Sequence, residues 1–362
     1  MEIVNATGMV VRYTLGVDPE ARESVVIVIK GTFNLPTDGS DPALLDQQIE
    51  PVMADEFTGE PGFSSTLYET DFAPTKRYCD VLLNGSAYAP QGRPAERVAV
   101  ELSFDGRAKR FEVHGDRIWQ GRMLSRAPSA PIPFVVKRIS YDVAFGGSDT
   151  DPRDPMRSKT FNANPFGVGY YPLTTGDALI GKVLPNTSEI GRRVDEADGQ
   201  YVPMAFGPVG RVFPQRLAFA GTYDEHWLDN VFPFLPGDFD DRYFQAAPRD
   251  QQFPYPQGGE SIVLTNLTPQ GRTAFRLPRL QVPVEFVDAS FDPVEQQARL
   301  DTVVIEPDHG RFTLTWRASH RLKRNMLEMR QCVVGRMSQA WYRARDRGKT
   351  YYPSLGALGA EH

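Results

Sequence analysis

The stretch ERVAVELSFDGRAKRFEVHG, residues 96–115, carries the clearest structural signal in this chain of 362 residues. Apolar side chains stand at every second position from Val98 to Phe104, which is the period of a strand with one buried face. Asp105-Gly106 follows, and this pair favours the positive φ angles of a two-residue hairpin turn. Alternation resumes at Phe111, so the stretch predicts an antiparallel β-hairpin.

Three further pairs of extended runs have the same organisation. They are MVVRYTL with SVVIVIKGTF (9–15 and 24–33), SIVLTNL with TAFRLP (261–267 and 273–278), and LDTVVIEP with RFTLTWRAS (300–307 and 311–319). The 30 prolines and 31 glycines also favour many short strands separated by turns. We therefore predict a mainly β fold of antiparallel sheets in sandwich-like units.

The sequence pattern divides the chain into three regions. Residues 149–259 are rich in Pro, Gly and Asp with few alternating runs, but their many aromatic residues argue against disorder. One short C-terminal helix is predicted over SQAWYRARDRG (338–348), where Ser338 can cap the first turn. We predict an N-terminal antiparallel β unit (1–148), a long irregular region packed on the sheets (149–259), and a C-terminal β unit with a basic segment and the helix (260–362).

Composition excludes several classes of protein. With 41% hydrophobic and 24% charged residues, the chain has the composition of an ordinary globular protein. No apolar run reaches the roughly 20 residues of a bilayer span, and the N-terminus lacks a signal-peptide pattern. We expect a cytoplasmic protein without membrane contact. Cys79 and Cys332 stand far apart with no second ligand pair, which predicts buried free thiols.

Motifs that could hold a cofactor or metal are incomplete. GDALIGKV (176–183) begins like a phosphate loop, but Val183 stands where Ser or Thr would bind magnesium. Two groups of acids lack the central Gly and distant Glu of a calcium loop, so we expect them to cap and turn the chain: Asp149, Asp151 and Asp154, and Asp238, Asp240 and Asp241. We expect no cofactor, no metal site and no catalytic residue.

The stretch VFPFLPGDFDDRYFQAAPRDQ, residues 231–251, combines aromatic residues, prolines and acids without a helical or strand period. Aromatic side chains on a proline-restricted backbone suit a surface that binds another protein, because they lose little conformational entropy on binding. The candidate partner-binding residues here are Phe232, Phe234, Phe239, Tyr243 and Phe244. The alternative is that these rings fill the protein's own core.

A basic segment forms the second candidate surface. Residues 311–349 contain eleven Lys or Arg against two acids in a chain whose net charge is −6. Its candidate partner-binding residues are Arg317, Arg321, Lys323 and Arg324. Such a segment can bind an acidic protein or form a solvated face. No RNA-binding signature accompanies it, so we expect no nucleic-acid partner.

Seven motifs in fixed order resemble a conserved family of unknown function whose genes accompany type VI secretion effectors. They are DFAPTKRYCDVLLNGSAYAP (71–90), FEVHGDRIW (111–119), YDVAFGG (141–147), NPFGVGY (164–170), AFGPVGRVFPQR (205–216), AGTYDEHW (220–227) and FPFLPGDFDDRYFQAAPRDQ (232–251). The resemblance covers roughly Thr66 to Pro278. It implies a non-enzymatic adaptor or chaperone that joins a co-encoded effector, often one with a PAAR-like tip domain, to the secretion spike.

A second functional class stays open from the residues alone. Acids beside aromatic rings, such as Asp224 and Glu225 near Trp227, could line a sugar cleft in a carbohydrate-active or carbohydrate-binding β protein. Clustered acids in a deep cleft would favour this alternative, whereas a broad apolar or charged patch would favour the adaptor.

Overall fold

The computed structural model describes residues 1–18, 20–122, 125–289 and 293–352. The fold is mainly β with several antiparallel sheets, as predicted. The strands are β1 (Glu2–Asn5), β2 (Val10–Val17), β3 (Glu23–Asn34), β4 (Glu56–Phe57), β5 (Thr66–Tyr68), β6 (Cys79–Leu83), β7 (Gly85–Tyr88), β8 (Arg97–Phe104), β9 (Arg107–His114), β10 (Trp119–Arg122), β11 (Ser125–Pro128), β12 (Val136–Ile139), β13 (Phe145–Gly146), β14 (Ser148–Asp149), β15 (Lys159–Thr160), β16 (Val168–Gly169), β17 (Thr187–Ser188), β18 (Gln252–Phe253), β19 (Ser261–Thr265), β20 (Arg272–Arg276), β21 (Pro283–Asp288), β22 (Pro293–Gln297), β23 (Arg299–Glu306), β24 (Arg311–Arg321) and β25 (Met329–Val334).

Helical structure is short. The α-helices are α1 (Pro214–Leu217), α2 (Glu225–Asn230) and α3 (Gln339–Asp346), and 3-10 turns occupy Pro90–Gly92, Tyr141–Val143, Pro155–Arg157, Gly176–Leu179, Asp241–Phe244, Arg249–Gln251, Pro307–His309 and Met326–Glu328. The predicted C-terminal helix is confirmed as α3, where the Ser338 hydroxyl accepts a hydrogen bond from the Trp341 N–H. In the described part of the chain, no helix has the length and apolar character needed to cross a membrane.

Two large sheets pack face to face around the main core. The six-stranded sheet has the order β18-β6-β23-β24-β3-β2, and the five-stranded sheet has the order β17-β9-β8-β19-β20. Alternate residues such as Ile29 of β3, Leu314 of β24 and Leu102 of β8 belong to one buried cluster. A four-stranded sheet, β1-β25-β21-β22, adds Phe286 and Cys332 to the same core. The sheets therefore form an extended β-sandwich.

All four predicted hairpins are confirmed. β2 pairs with β3, β8 with β9, β19 with β20, and β23 with β24, each in antiparallel register. At the β8–β9 turn, Asp105 has φ 46° and Gly106 has φ 84°, which are the positive angles that a two-residue turn requires. Cys79 and Cys332 are buried free thiols, as predicted.

Both large sheets combine strands that are distant in sequence. In the six-stranded sheet, β6 pairs in parallel with β23, and β3 pairs with β24. In the five-stranded sheet, β8 pairs with β19. Residues 1–148 and 260–362 therefore share their sheets, and neither segment builds its large sheet from its own strands alone.

The irregular region between residues 149 and 259 is ordered by its own polar contacts and by a second small core. Phe145, Leu184 and Tyr201 are buried together there. Three of the acids cap or turn the chain locally, as predicted: Asp151, Asp154 and Asp240 each accept a hydrogen bond from the N–H group two residues further on. The prediction of a local cap or turn is wrong for two others, because Asp149 accepts from the Leu173 and Thr174 N–H groups and Asp238 from the Thr222 N–H, which are distant in sequence. Asp241 lies in the first turn of the 3-10 segment Asp241–Phe244.

The second face of the six-stranded sheet is covered through buried charges. We call the three ion pairs on this face the ionic layer. They join Lys30 to Asp71, Lys76 to Asp80, and Arg317 to Asp301, each with an N–O distance of 2.7 Å. Because successive side chains of a strand point to opposite faces, Lys30 lies on this face while its neighbour Ile29 lies in the sandwich core. The sheet thus has one apolar face and one ionic face.

We expect Gly106→Val to lower the free energy of unfolding by about 1–2 kcal/mol, because a β-branched residue is strained at a φ of 84°. Chemical denaturation of the variant and the parent measures the difference. Gly237→Val is the control, because a Cβ at Gly237 meets nothing within 4 Å and its φ lies outside the left-handed region. Equal midpoints for Gly106→Val and the parent would show that the turn does not depend on glycine at this position.

Reversal of a charge in the ionic layer should lower the free energy of unfolding far more than reversal of a charge on the surface. Arg317→Glu leaves Asp301 buried beside a second acid, and breaking a buried pair costs about 3–5 kcal/mol. The matched control, Lys323→Glu, changes an exposed side chain and should cost less than about 0.5 kcal/mol. Similar unfolding midpoints for the two variants would show that the ionic layer contributes little.

Candidate protein-binding surface

Helix α2 and the turn that follows it form a small, well-braced element. The Asp224 carboxylate caps the helix by accepting a hydrogen bond from the Trp227 N–H at 2.9 Å. The Trp227 indole N–H in turn donates to the Phe234 carbonyl at 2.9 Å. Asp238 accepts hydrogen bonds from the backbone and hydroxyl of Thr222, which closes the loop from both sides. Trp227 therefore holds the helix and the turn together.

This element presents large apolar side chains to solvent. Phe232 is 61% exposed and Phe234 is 41% exposed, while Tyr223 and Leu228 are each more than half exposed. The half-buried Trp227 ring contacts Tyr223 at 4.8 Å and Phe232 at 5.5 Å between ring centroids. We call these five residues the aromatic surface. The core-filling alternative is therefore wrong for Phe232 and Phe234.

The other three predicted aromatic residues form an inner aromatic cluster. Phe239, Tyr243 and Phe244 are half-buried and contact one another with centroid distances between 5.3 and 6.1 Å. The buried Arg216 guanidinium donates to the Tyr243 carbonyl and pairs with Glu69 at 2.7 Å. These rings connect the exposed surface to the body of the protein.

The chain that follows the inner aromatic cluster is fixed to strand β6. The Ala246 N–H donates to Asp80 at 2.8 Å, and the Gln245 side chain donates to the other oxygen of the same carboxylate at 2.7 Å. Gln251 donates to the carbonyls of Val81 and Phe206. The predicted binding stretch therefore ends on a rigid base.

The basic segment is divided by the structure. Arg317 is buried, pairs with Asp301 and donates to the carbonyls of Asp71 and Ala73, so its assignment to a partner-binding surface is wrong. Its burial follows from its place on the ionic face of β24, which the chain at Asp71 and Ala73 covers. Arg321, Lys323 and Arg324 are exposed.

A groove of about 300 Å³ brings the two predicted surfaces together. Its lining includes Leu235 and Phe244 from the aromatic stretch and Arg321 from the basic segment. Asp18 lies opposite and pairs with Arg321 at 2.7 Å. Partial desolvation would raise the pKa of Asp18, but hydrogen bonds from the Arg22 backbone and from Arg321 lower it to about 2. The Asp18 carboxyl is therefore ionised at neutral pH.

The aromatic surface includes three residues that were not predicted from the sequence to bind a partner: Tyr223, Trp227 and Leu228. Helix α2 has six residues, which is too short for a helical period to be recognised. The sequence did contain one signal for the start of this helix. Asp224 stands three positions before Trp227, and Asp is a preferred N-cap residue.

A cavity of about 630 Å³ lies over the ionic face of the six-stranded sheet. Three of the acids that line it are buried and paired: Asp71 with Lys30, Glu69 with Arg216, and Glu306 with Arg311. Burial alone would raise the pKa of Glu69, but Arg216 brings it below its ordinary value. Within the residues that the structure describes, no three His, Cys, Asp or Glu side chains come together to hold a metal ion.

Comparison with known proteins identifies a family. A search of curated proteins and a search of solved structures returned no match. A family model described as an uncharacterized protein conserved in bacteria (DUF2169) matches residues 20–317, which include the aromatic surface, the inner aromatic cluster and the ionic layer. The chain is therefore a member of the bacterial DUF2169 family.

Proposed function

We propose that this protein is a non-enzymatic adaptor that binds a co-encoded type VI secretion effector in the cytoplasm and helps to load it onto the secretion spike. The effector would be one with a PAAR-like tip domain or a similar module. The observation that carries the proposal is the aromatic surface, in which four large apolar side chains are exposed on one braced element. The motif resemblance described above supports the choice of partner.

The physical properties of the aromatic surface suit a protein partner. Contiguous exposed apolar patches are uncommon on proteins that act alone. Aromatic side chains provide much contact area for few rotatable bonds, so little entropy is lost when they are covered. Because the Trp227 side chain bonds the Phe234 carbonyl, the surface is also preorganised before it meets its partner.

The adjoining groove supplies charge to the same surface. The carboxylate of Asp18 and the guanidinium of Arg321 face each other there. Lys323 and Arg324 continue the exposed positive charge beyond the groove. Charged groups at the rim of an interface mainly accelerate association and select the partner, whereas apolar groups at its centre provide most of the affinity.

The alternative, a carbohydrate-active protein, has weaker support. Glycoside hydrolysis needs a general acid with a raised pKa beside a second free carboxylate. In the cavity over the ionic face, Glu69 has a lowered pKa and Glu306 is held by Arg311. Asp224, the acid that stands near Trp227 in the sequence, is used as the cap of helix α2.

Replacement of Phe232 and Phe234 by Ser should weaken binding to the effector encoded by the adjacent gene by about tenfold or more, as expected for central aromatic contacts. Isothermal titration calorimetry with the purified effector measures the affinity. Phe63→Ser is the matched control, because Phe63 is also mostly exposed but lies in the loop before β5. If the double variant and the control bind the effector with the parent's affinity, the aromatic surface is not the binding site.

Reversal of Arg321, Lys323 and Arg324 to Glu should preserve the fold and slow association with an acidic effector about tenfold at low salt, with a smaller effect at moderate salt. Stopped-flow mixing measures the rate at both salt concentrations. The control reverses Arg272 and Arg276, two exposed cations on strand β20. Unchanged association of the triple variant would remove the basic segment from the binding surface.

A further inference from the structure

We propose that the outer edge of strand β2 receives an extended segment of the partner protein, which adds a seventh strand to the six-stranded sheet. The identity of the partner rests on the proposed function, whereas the strand-accepting edge does not. Strand β2 lies at the end of the sheet order and pairs on one side only, with β3. Strand addition of this kind is a known mode of peptide recognition.

The backbone of β2 offers free N–H groups along its outer edge, although the Val11 and Leu15 carbonyls accept hydrogen bonds from the Arg12 and Thr14 side chains. The Asp18 N–H donates to the Arg22 carbonyl at 3.1 Å, which identifies this as a hydrogen-bonded pair of the β2–β3 ladder. Since such pairs alternate in antiparallel strands, every second residue of β2 points its N–H and carbonyl away from β3. These residues are Val11, Tyr13, Leu15 and Val17. Within the described ranges, their N–H groups have no acceptor.

The side chains on this edge are apolar and incompletely covered. Tyr13 and Leu15 pair across the ladder with Ile27 and Val25, which lie in the sandwich core. Yet Tyr13 is 47% exposed and Leu15 is 48% exposed. At β2, the apolar face of the sheet therefore extends beyond the part that is covered in the sandwich core. An added strand with apolar residues at alternate positions would extend this face.

Two other sheet edges carry more proline or charge than β2, whose one charged side chain, Arg12, pairs with Glu50. Strand β22 contains Pro293 and Glu295, and strand β20 begins and ends with the exposed Arg272 and Arg276. Proline and charge are the usual means of preventing unwanted strand pairing. Strand β2 pairs over eight residues in continuous register, without proline or a bulge.

The position of β2 favours a partner segment over a second copy of this chain. Val17, at the end of the strand, lines the same groove as Leu235, Phe244 and Arg321. A segment paired with β2 can therefore continue into the groove and join an interface at the aromatic surface.

The test selects random dodecapeptides displayed on phage against the full-length chain. We expect enriched peptides with apolar residues at alternate positions, and we expect their binding to slow amide hydrogen exchange at Tyr13, Leu15 and Val17. Leu15→Pro removes an outward N–H and an apolar side chain but no β2–β3 hydrogen bond, so it should weaken peptide binding about tenfold or more.

The matched control is Ala274→Pro, which removes an outward N–H from the edge strand β20 and should leave peptide affinity unchanged. The outward direction follows from the Leu277 N–H bond to Glu260, because hydrogen-bonded pairs alternate along β20. Thermal melts check that each variant is folded. If Leu15→Pro unfolds, Leu15→Lys replaces it and should reduce both the affinity and the exchange protection.

Three results would overturn the strand-addition proposal. The first is that the selection yields no binding peptide. The second is that the peptides slow hydrogen exchange in other segments, or bind Leu15→Pro as tightly as the parent. The third is that exchange at β2 slows with rising protein concentration alone, which would indicate self-pairing. Peptide binding at β2 together with normal effector binding by the Phe232 and Phe234 variant would count only against the proposed function. Loss of effector binding in that variant without peptide binding at β2 would count only against strand addition.

Discussion

The carboxylate of Asp80 joins the β-sandwich to the irregular region that carries the aromatic surface. It is fully buried on strand β6 and accepts hydrogen bonds from the Lys76 ammonium at 2.7 Å, the Gln245 side chain at 2.7 Å and the Ala246 N–H at 2.8 Å. A buried carboxylate requires such partners, because removing a charge from water is costly unless the charge is paired and hydrogen-bonded. Without Asp80, the buried Lys76 ammonium would lose its ion-pair partner, and Gln245 and Ala246 would lose their hydrogen bonds to this carboxylate.

The two faces of the six-stranded sheet explain how so much irregular chain can be ordered. The apolar face packs on the other sheets by shape and volume, in the manner of an ordinary sandwich core. The opposite face bears Lys30, Asp80 and Arg317, which bond only to groups with the correct charge and geometry. Arg317, for example, uses the carbonyls of Asp71 and Ala73 as well as the Asp301 carboxylate. The ionic face therefore holds particular loops in particular places, although such pairs add little net stability over apolar contacts.

This difference between the two faces is consistent with an adaptor. A binding surface needs a rigid support that keeps its apolar side chains exposed. The aromatic surface is formed by Tyr223, Trp227, Leu228, Phe232 and Phe234 on a helix of six residues and the turn after it, and it cannot be stable by itself. Its order comes from the Trp227 bond to the Phe234 carbonyl and from the anchoring at Asp80. The groove at Arg321 and the open edge of β2 adjoin the same support, so one partner can contact all three.

The residues alone were sufficient to predict the hairpins, helix α3 and the local cap or turn formed by Asp151, Asp154 and Asp240. Alternation, a turn pair such as Asp105-Gly106 and a capping serine act within a few residues of one another, so the information is local. The exposure of Phe232 and the burial of Arg317 depend on contacts that are distant in sequence. Arg317 looks like its exposed neighbour Arg321 in the sequence, but Asp301 on the paired strand and carbonyls more than two hundred residues earlier enclose it. Whether a charge or a ring lies inside a protein is set by what packs against it, and that partner appears only when the chain has folded.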